Sequence, residues 1–171
     1  RASSLRARST SVHDAGVDVT QDRLYRAYAD AGKLTTRVYG MIGGAGADFD
    51  VLAKNGPLND YGNGMYALRA VKLYSDGALG SRGAALIKPY SDDAHSHGLL
   101  FFKSGQMDTM MTKAMRRGYQ VNVHAIGDAG NKQILDIYQK EVSATKSSAQ
   151  RHRIEHAQVV QPGDIPRFKS I

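Results

Sequence analysis

The stretch Gln120-Val121-Asn122-Val123-His124-Ala125-Ile126-Gly127-Asp128 has the pattern of a β-strand that ends in a polar side chain and a glycine turn, and a helical pattern follows over residues 129–142. A β-prone run with a polar side chain near its end recurs at Lys72 in residues 71–74 and at His156 in residues 153–156. Burying an unpaired lysine or imidazole is costly. Parallel α/β folds place their chemistry at the carboxyl ends of the strands. We therefore expect these three strand ends to converge on one site.

Outward from these strands, the chain alternates strand-like and helix-like segments, which predicts βα units around a parallel sheet. We predict strands at residues 11–14, 37–42, 71–74, 120–124 and 152–160. Helices are predicted at residues 21–31, with Thr20 as N-cap, at 129–142, at 162–168, and along an apolar face formed by Met107, Met110, Met111, Ala114 and Met115. Residues 43–64 are either a surface excursion or contain a short helix near residues 49–54.

Length and composition limit the class of protein. The 171 residues, 42% of them hydrophobic, suffice for one domain with a sizeable core, and no apolar run reaches the roughly 18–20 residues of a membrane span. Residues 1–10 are basic but lack the apolar segment of a secretory signal. We expect a cytoplasmic protein. Cysteine is absent, which leaves histidine, carboxylate or a modified side chain for any metal site.

The net charge of +7 and the pI near 9.7 raise the question of nucleic acid. The basic residues are scattered, however, and their densest groups are Arg1/Arg6/Arg8 and Arg151/His152/Arg153. No basic helix face and no aromatic RNA-binding signature accompany them. We expect a solvated basic surface and no nucleic-acid or membrane partner. A non-catalytic α/β binding module that acts through this surface remains the alternative function.

Two motifs are weak on inspection. Gly43-Gly44-Ala45-Gly46 invites a dinucleotide-loop interpretation, but Phe49 stands where a third glycine belongs and no convincing helix opens there, so a flexible loop is favoured. His95-Ser96-His97 has a spacing common in metal sites. It lies in a polar loop without a strand to hold the imidazoles, and we do not expect it to bind metal.

The strand-end residues carry more weight. Lys72 is either an edge lysine that reaches solvent or a buried lysine that acts as base, nucleophile or, as a carbamate, metal ligand. His124 and His156 could each be a hydrogen-bonded core histidine, but as neighbours in a parallel sheet they suit Zn²⁺. Asp76 offers a carboxylate beside Lys72, and Asp128 could orient a ligand or handle a proton.

With these residues in place, the sequence resembles the YtcJ-like metal-dependent amidohydrolases of amidohydrolase family 3, which include N-substituted formamide deformylases. The resemblance spans nearly the whole chain, including residues 10–16, 37–39, 89–92 and 151–158. Its most specific parts are Val123-His124-Ala125-Ile126-Gly127-Asp128 and Val71-Lys72-Leu73-Tyr74-Ser75-Asp76-Gly77-Ala78-Leu79-Gly80-Ser81-Arg82-Gly83-Ala84.

The resemblance implies a (β/α)₈ barrel in which Lys72, carbamylated or not, His124 and His156 end strands four, five and six as ligands of one or two divalent ions, with zinc favoured. A metal-activated hydroxide would then hydrolyse a carbon–nitrogen bond other than a peptide bond in a small amide-type substrate. Asp76 and Asp128 join Lys72 as candidate catalytic residues.

The departures from the family pattern lie at the two ends of the chain. The H-x-H pair of the family's first strand is absent, and the aspartate after strand eight is expected beyond Ile171. A complete barrel needs about 250 residues. We therefore expect residues 1–171 to form one incomplete domain, a partial barrel covering about strands 2 to 6, with little activity alone.

Overall fold

A computed structural model describes residues 9–171, apart from the side chain of Ser104. The described residues divide into two compact units, one formed by the residues up to Lys72 with Arg117–Tyr119 and one by Leu73–Arg116 with Gln120–Ile171. The basic group Arg1/Arg6/Arg8 lies outside the described residues.

The first unit is a parallel sheet with one antiparallel strand. Its strands are β1 (Ser11–Val17), β2 (Arg37–Gly43), β3 (Leu58–Tyr61) and β4 (Tyr66–Tyr74), and its helices are α1 (Val19–Asp30) and α2 (Ala47–Leu52). Strand β2 pairs in parallel with β1 and with β4, and β3 pairs antiparallel with β4. The last two residues of β4 belong to the second unit.

Helix α1 begins earlier than the sequence pattern predicts. Asp18, not Thr20, is the N-cap, and it forms a capping box in which its carboxylate accepts from the Gln21 backbone at 2.7 Å while the Gln21 side chain accepts from the Asp18 backbone at 3.0 Å. Thr20 therefore lies inside the first turn. The prediction missed the reciprocal Asp-x-x-Gln pair two residues upstream.

Residues 43–64 contain regular structure. Helix α2 begins at Ala47, directly after Gly46, so the short-helix alternative is confirmed and the expectation that no helix opens after the glycines is wrong. With six residues, α2 is a short helix. Strand β3 was not predicted, because its pairing with the first half of β4 is a tertiary contact that the local pattern does not reveal.

The second unit is built on two parallel strands and two long helices. Its strands are β5 (Gln120–Ala125) and β6 (Arg153–His156), and its helices are α3 (Ser104–Arg116), α4 (Asp128–Ala144) and α5 (Arg167–Ser170), with 3₁₀ turns at Leu79–Ser81 and Ser148–Gln150. The methionine face of α3 is core as predicted: Met107, Met111 and Met115 are buried, and Met110 is half-buried. The predicted inward face of α4 is likewise buried, at Ile134, Leu135 and Tyr138.

Strand β6 is shorter than the predicted strand at 152–160. His156 and Ala157 have φ angles of 75° and 43°, so the chain enters the left-handed region and leaves the ladder after His156. The final helix is also shorter than the prediction, because residues 162–166 precede it as turns. Among the described residues, no helix is long and apolar enough to cross a membrane.

Parallel strands that alternate with helices confirm the α/β class. Within each unit the parallel neighbours follow chain order, β1-β2-β4 in the first and β5-β6 in the second. A doubly wound sheet would reverse its order at a switch point. The order without reversal is that of a partial (β/α)₈ barrel.

Candidate metal centre

The two strand-end histidines meet in the second unit. In the ladder, His124 of β5 lies beside Glu155 and His156 of β6 lies beside Ala125. A regular strand would therefore place the His156 side chain on the face opposite to that of His124. The left-handed backbone at His156 breaks this alternation, and the two imidazoles meet edge to face with ring centroids 4.7 Å apart.

The left-handed conformation at His156 is costly for a residue with a Cβ, and such residues cluster at functional sites. His156 is exposed, whereas the His124 side chain retains only 13% of its accessible surface. The pair therefore has one anchored imidazole and one that faces solvent.

The Nε2 atom of His124 has one acceptor within hydrogen-bond distance and a carboxylate oxygen just beyond it. The carbonyl oxygen of Gly77 lies at 3.3 Å, and Oδ1 of Asp76 lies at 3.6 Å. A histidine that binds a metal usually donates its other ring N–H to a carbonyl or a carboxylate. The surroundings of His124 match this arrangement.

Asp76 is fully buried and surrounded by backbone donors. Its Oδ2 accepts from the amides of Ala85 and Gly127 at 2.9 and 2.8 Å, and its Oδ1 accepts from the amide of Ile126 at 2.9 Å. The carboxylate thus ties the loop after β4 to the turn between β5 and α4.

Asp128 is the first residue of α4 and is also buried. Its Oδ1 accepts from the amides of Ile87 and Ala129 at 2.8 and 3.0 Å, and its Oδ2 accepts from the side-chain amide of Gln161. Sequence reasoning missed Gln161, because a glutamine in a loop 33 residues away gives no local signal.

Lys72 lies in the first unit, where it is the last residue of β4 before the boundary. Its side chain is buried, its strand position is opposite Gly43 of β2, and its carbonyl accepts from the Gly44 amide at 3.0 Å. The interpretation as an edge lysine that reaches solvent is therefore wrong. Its roles as ligand, as carbamate and in catalysis stay predictions.

His95 and His97 are exposed in the loop between β4 and α3, and Nδ1 of His97 lies 3.3 Å from the carbonyl oxygen of Leu86.

His152 is different from its neighbours Arg151 and Arg153 in the predicted basic group. Its Nδ1 accepts from the Val121 amide at 3.0 Å and its Nε2 donates to Ser147 Oγ at 2.9 Å. Burial lowers the pKa of His152 to about 4, so it adds no positive charge at neutral pH.

The donor chemistry of the His124–His156 pair suits a metal ion. Imidazole nitrogens bind Zn²⁺ at about 2.0–2.1 Å, and two rings that share one ion have centroids roughly 5 Å apart by that geometry, close to the observed 4.7 Å. Within residues 9–171, no three histidine, aspartate or glutamate side chains are grouped so that they could hold an ion by themselves. The described donor set is therefore two imidazoles.

Comparison with known proteins identifies the family. The sequence model of the amidohydrolase family matches residues 10–171. The chain belongs to the amidohydrolase family. Among curated relatives of this amidohydrolase, YtcJ of Bacillus subtilis (strain 168) is 31% identical over 140 residues, which are 81% of the chain and 25% of YtcJ. The LONG AFTER FAR-RED 3 protein of Arabidopsis thaliana is 39% identical over 101 residues, 59% of the chain and 17% of that protein.

Two solved structures share the fold of this amidohydrolase. An uncharacterized metal-dependent hydrolase from Pyrococcus horikoshii OT3 superposes with a TM-score of 0.85 at 30% identity, over 99% of this chain and 33% of that one. An uncharacterized metal-dependent hydrolase from Pyrococcus furiosus superposes with a TM-score of 0.81 at 27% identity, over 97% of this chain and 33% of that one. The chain thus spans a third or less of these relatives' lengths.

Proposed function

We propose that this amidohydrolase chain carries part of the metal centre of a hydrolase that cleaves carbon–nitrogen bonds other than peptide bonds in small amide-type substrates. The observation that carries the proposal is the His124–His156 pair, two imidazoles at 4.7 Å at the ends of adjacent parallel strands. The family membership and the two metal-dependent hydrolases of the same fold support it.

His124 and His156 would hold a divalent ion, with zinc favoured because two neutral imidazoles suit it. Such an ion supplies Lewis-acid activation of a carbonyl group and of water. The resemblance to YtcJ-like enzymes adds Lys72 as a further ligand, and this part of the proposal rests on the sequence alone.

The protein's own groups would shape the site around the ion. His124 is anchored through Nε2, and its half-buried ring limits the water around it. Asp128 fixes the loop after β4 to the start of α4 through the Ile87 amide, which orders the surroundings of the histidine pair.

Zinc binding tests the proposal directly. We expect the chain to bind Zn²⁺ weakly, because the described donors are two imidazoles, and to lose that binding in the double variant His124→Ala/His156→Ala. The matched control is His95→Ala/His97→Ala, which also removes two histidines but from an exposed loop. Calorimetric titration with Zn²⁺ and elemental analysis after dialysis measure the difference.

Equal zinc binding by the wild type and the His124/His156 variant would contradict the proposed centre, as would loss confined to the His95/His97 variant. Turnover is tested with N-substituted formamides, N-acyl amino acids and peptides as a panel. We expect little turnover by this chain alone, and any turnover to fall on the non-peptide amides. Preferential peptide cleavage would contradict the substrate class.

A further inference from the structure

We infer that Asp76 is a positioning residue that sets the tautomer and orientation of His124, and that it does not exchange protons with substrate. The inference rests on the proposed metal-binding role of His124. It assigns to Asp76 a different role from the catalytic one that the sequence suggested.

The first observation is that Asp76 is inaccessible. Its exposed fraction is 0%, and both carboxylate oxygens accept hydrogen bonds from backbone amides. A group that touches substrate needs an open approach, and Asp76 has none. Its charge instead lies beside the first turn of α4, where the positive end of the helix dipole stabilises a carboxylate.

The second observation is the pair of oxygen atoms beside Nε2 of His124. The Gly77 carbonyl lies within hydrogen-bond distance of Nε2 at 3.3 Å, and Asp76 Oδ1 lies beside it at 3.6 Å. A proton on Nε2 is therefore favoured over one on Nδ1, because the carbonyl accepts from it and the carboxylate attracts it. This tautomer leaves the lone pair on Nδ1, and a metal can bind a neutral imidazole only through a nitrogen that carries a lone pair.

The third observation is how closely the backbone is packed around the carboxylate. A Cβ atom on Gly127 would lie 1.9 Å from the Ala85 carbonyl oxygen, and one on Gly130 would lie 2.7 Å from Asp76 Oδ2. Glycine at these positions lets the loop and the start of α4 close on Asp76 from both sides. The carboxylate therefore has one place to sit, and that place faces His124.

Replacement of Asp76 by Asn gives a sharp test. The amide oxygen of Asn best occupies the Oδ2 position, where it keeps two of the three backbone hydrogen bonds, those from Ala85 and Gly127. The amide NH₂ group then occupies the Oδ1 position and faces Nε2 of His124. Two donors that face each other repel, so the Nε2–H form of His124 loses the support of the carboxylate and the fraction with its proton on Nδ1 is expected to rise, while the Gly77 carbonyl still accepts from Nε2.

Asp128→Asn is the matched control. Asp128 is buried and accepts backbone amides at the start of the same helix, but its second oxygen faces the amide of Gln161 rather than a histidine. Gln161 can turn its own amide to accept from the new NH₂ group. This variant tests whether any loss of a carboxylate near the start of α4 disturbs His124.

The experiment is long-range ¹⁵N–¹H NMR of the metal-free chain labelled at histidine, with the His124 signals assigned by their loss in His124→Ala. We expect Nε2–H in the wild type and in Asp128→Asn, and a shift toward Nδ1–H in Asp76→Asn. In parallel, Asp76→Asn should weaken Zn²⁺ binding by about 10- to 100-fold, the usual effect of losing such an outer partner.

A wild-type His124 with its proton on Nδ1 would overturn the inference even if Asp76→Asn does not fold. An unchanged tautomer in a folded Asp76→Asn, or the same change in Asp128→Asn, would also overturn it. Because the tautomer is read without metal, failure to bind Zn²⁺ in a wild type that carries Nε2–H would count against the proposed function and not against the role of Asp76.

Discussion

Acid should destabilise the second unit through His152. Both ring nitrogens are used in the neutral form, since Nδ1 accepts from the Val121 amide and Nε2 donates to Ser147. A second proton would have to sit on Nδ1, where it would face the N–H of Val121. The ring also stacks on Tyr138 with an interplanar angle of 13° and a centroid distance of 5.5 Å, which removes part of its contact with water.

The direction and size of the change in the free energy of unfolding follow from the shift in the pKa of His152 on folding. The pKa of His152 falls from about 6.5 in the unfolded chain to about 4 in the folded one, so folding favours the neutral ring. The stabilisation is complete above pH 6.5 and is lost as the pH falls toward 4. Between pH 7.5 and 5 the full shift corresponds to about 2 kcal/mol, and the partial solvent contact of the ring reduces this to about 1–2 kcal/mol.

The assay is urea unfolding followed by far-UV circular dichroism at pH 7.5, 6.5, 5.5 and 5.0. His152→Gln should lower the free energy of unfolding at pH 7.5 by about 1–3 kcal/mol, because the buried Val121 amide loses its acceptor. It should also flatten the decline toward pH 5 by about 1–2 kcal/mol. His95→Gln, which removes an exposed histidine, is the control and should keep the decline that His152 causes. If His152→Gln loses as much stability on acidification as the wild type, the assignment of the acid sensitivity to His152 is wrong.

Two further substitutions test the packing of each unit. Gly127→Ala should lower the melting temperature sharply, because its Cβ would lie 1.9 Å from a backbone carbonyl oxygen of the loop after β4. Gly163→Ala is the control and should leave the melting temperature unchanged, since open space surrounds that position. Equal melting temperatures for the two variants would contradict the close contact at Gly127. In the first unit, Tyr66→Phe should cost about 1–3 kcal/mol, because the buried carboxylate of Asp22 loses a hydrogen bond of 3.0 Å. Tyr61→Phe, which removes an exposed hydrogen bond, should cost less in the same urea titration, and the reverse order would refute the difference in burial.

Local patterns in the chain were enough to locate most of the elements. Apolar residues recur at helical spacing in α3 and α4, and β-prone runs lead to Lys72 and His124. These elements were predicted because the signal lies within each segment. Elements defined by distant partners were missed. Strand β3 exists through its pairing with β4. The N-cap of α1 was missed for another reason, since the pair of Asp18 and Gln21 is local and was overlooked in favour of Thr20.

The same division holds at the site. The amino-acid sequence by itself determined which residue types stand at the strand ends, namely Lys72, His124 and His156. Each follows a short β-prone run that can be recognised without knowledge of distant contacts. Only the tertiary structure decided how two of them are used. The left-handed backbone at His156 turns its ring toward His124 against the strand alternation, and Asp76 is withdrawn from solvent by amides from two segments distant in sequence. The hydrogen bonds of Asp76 span 9 to 51 residues, and the ring contact joins two different strands, so no local pattern encodes either outcome.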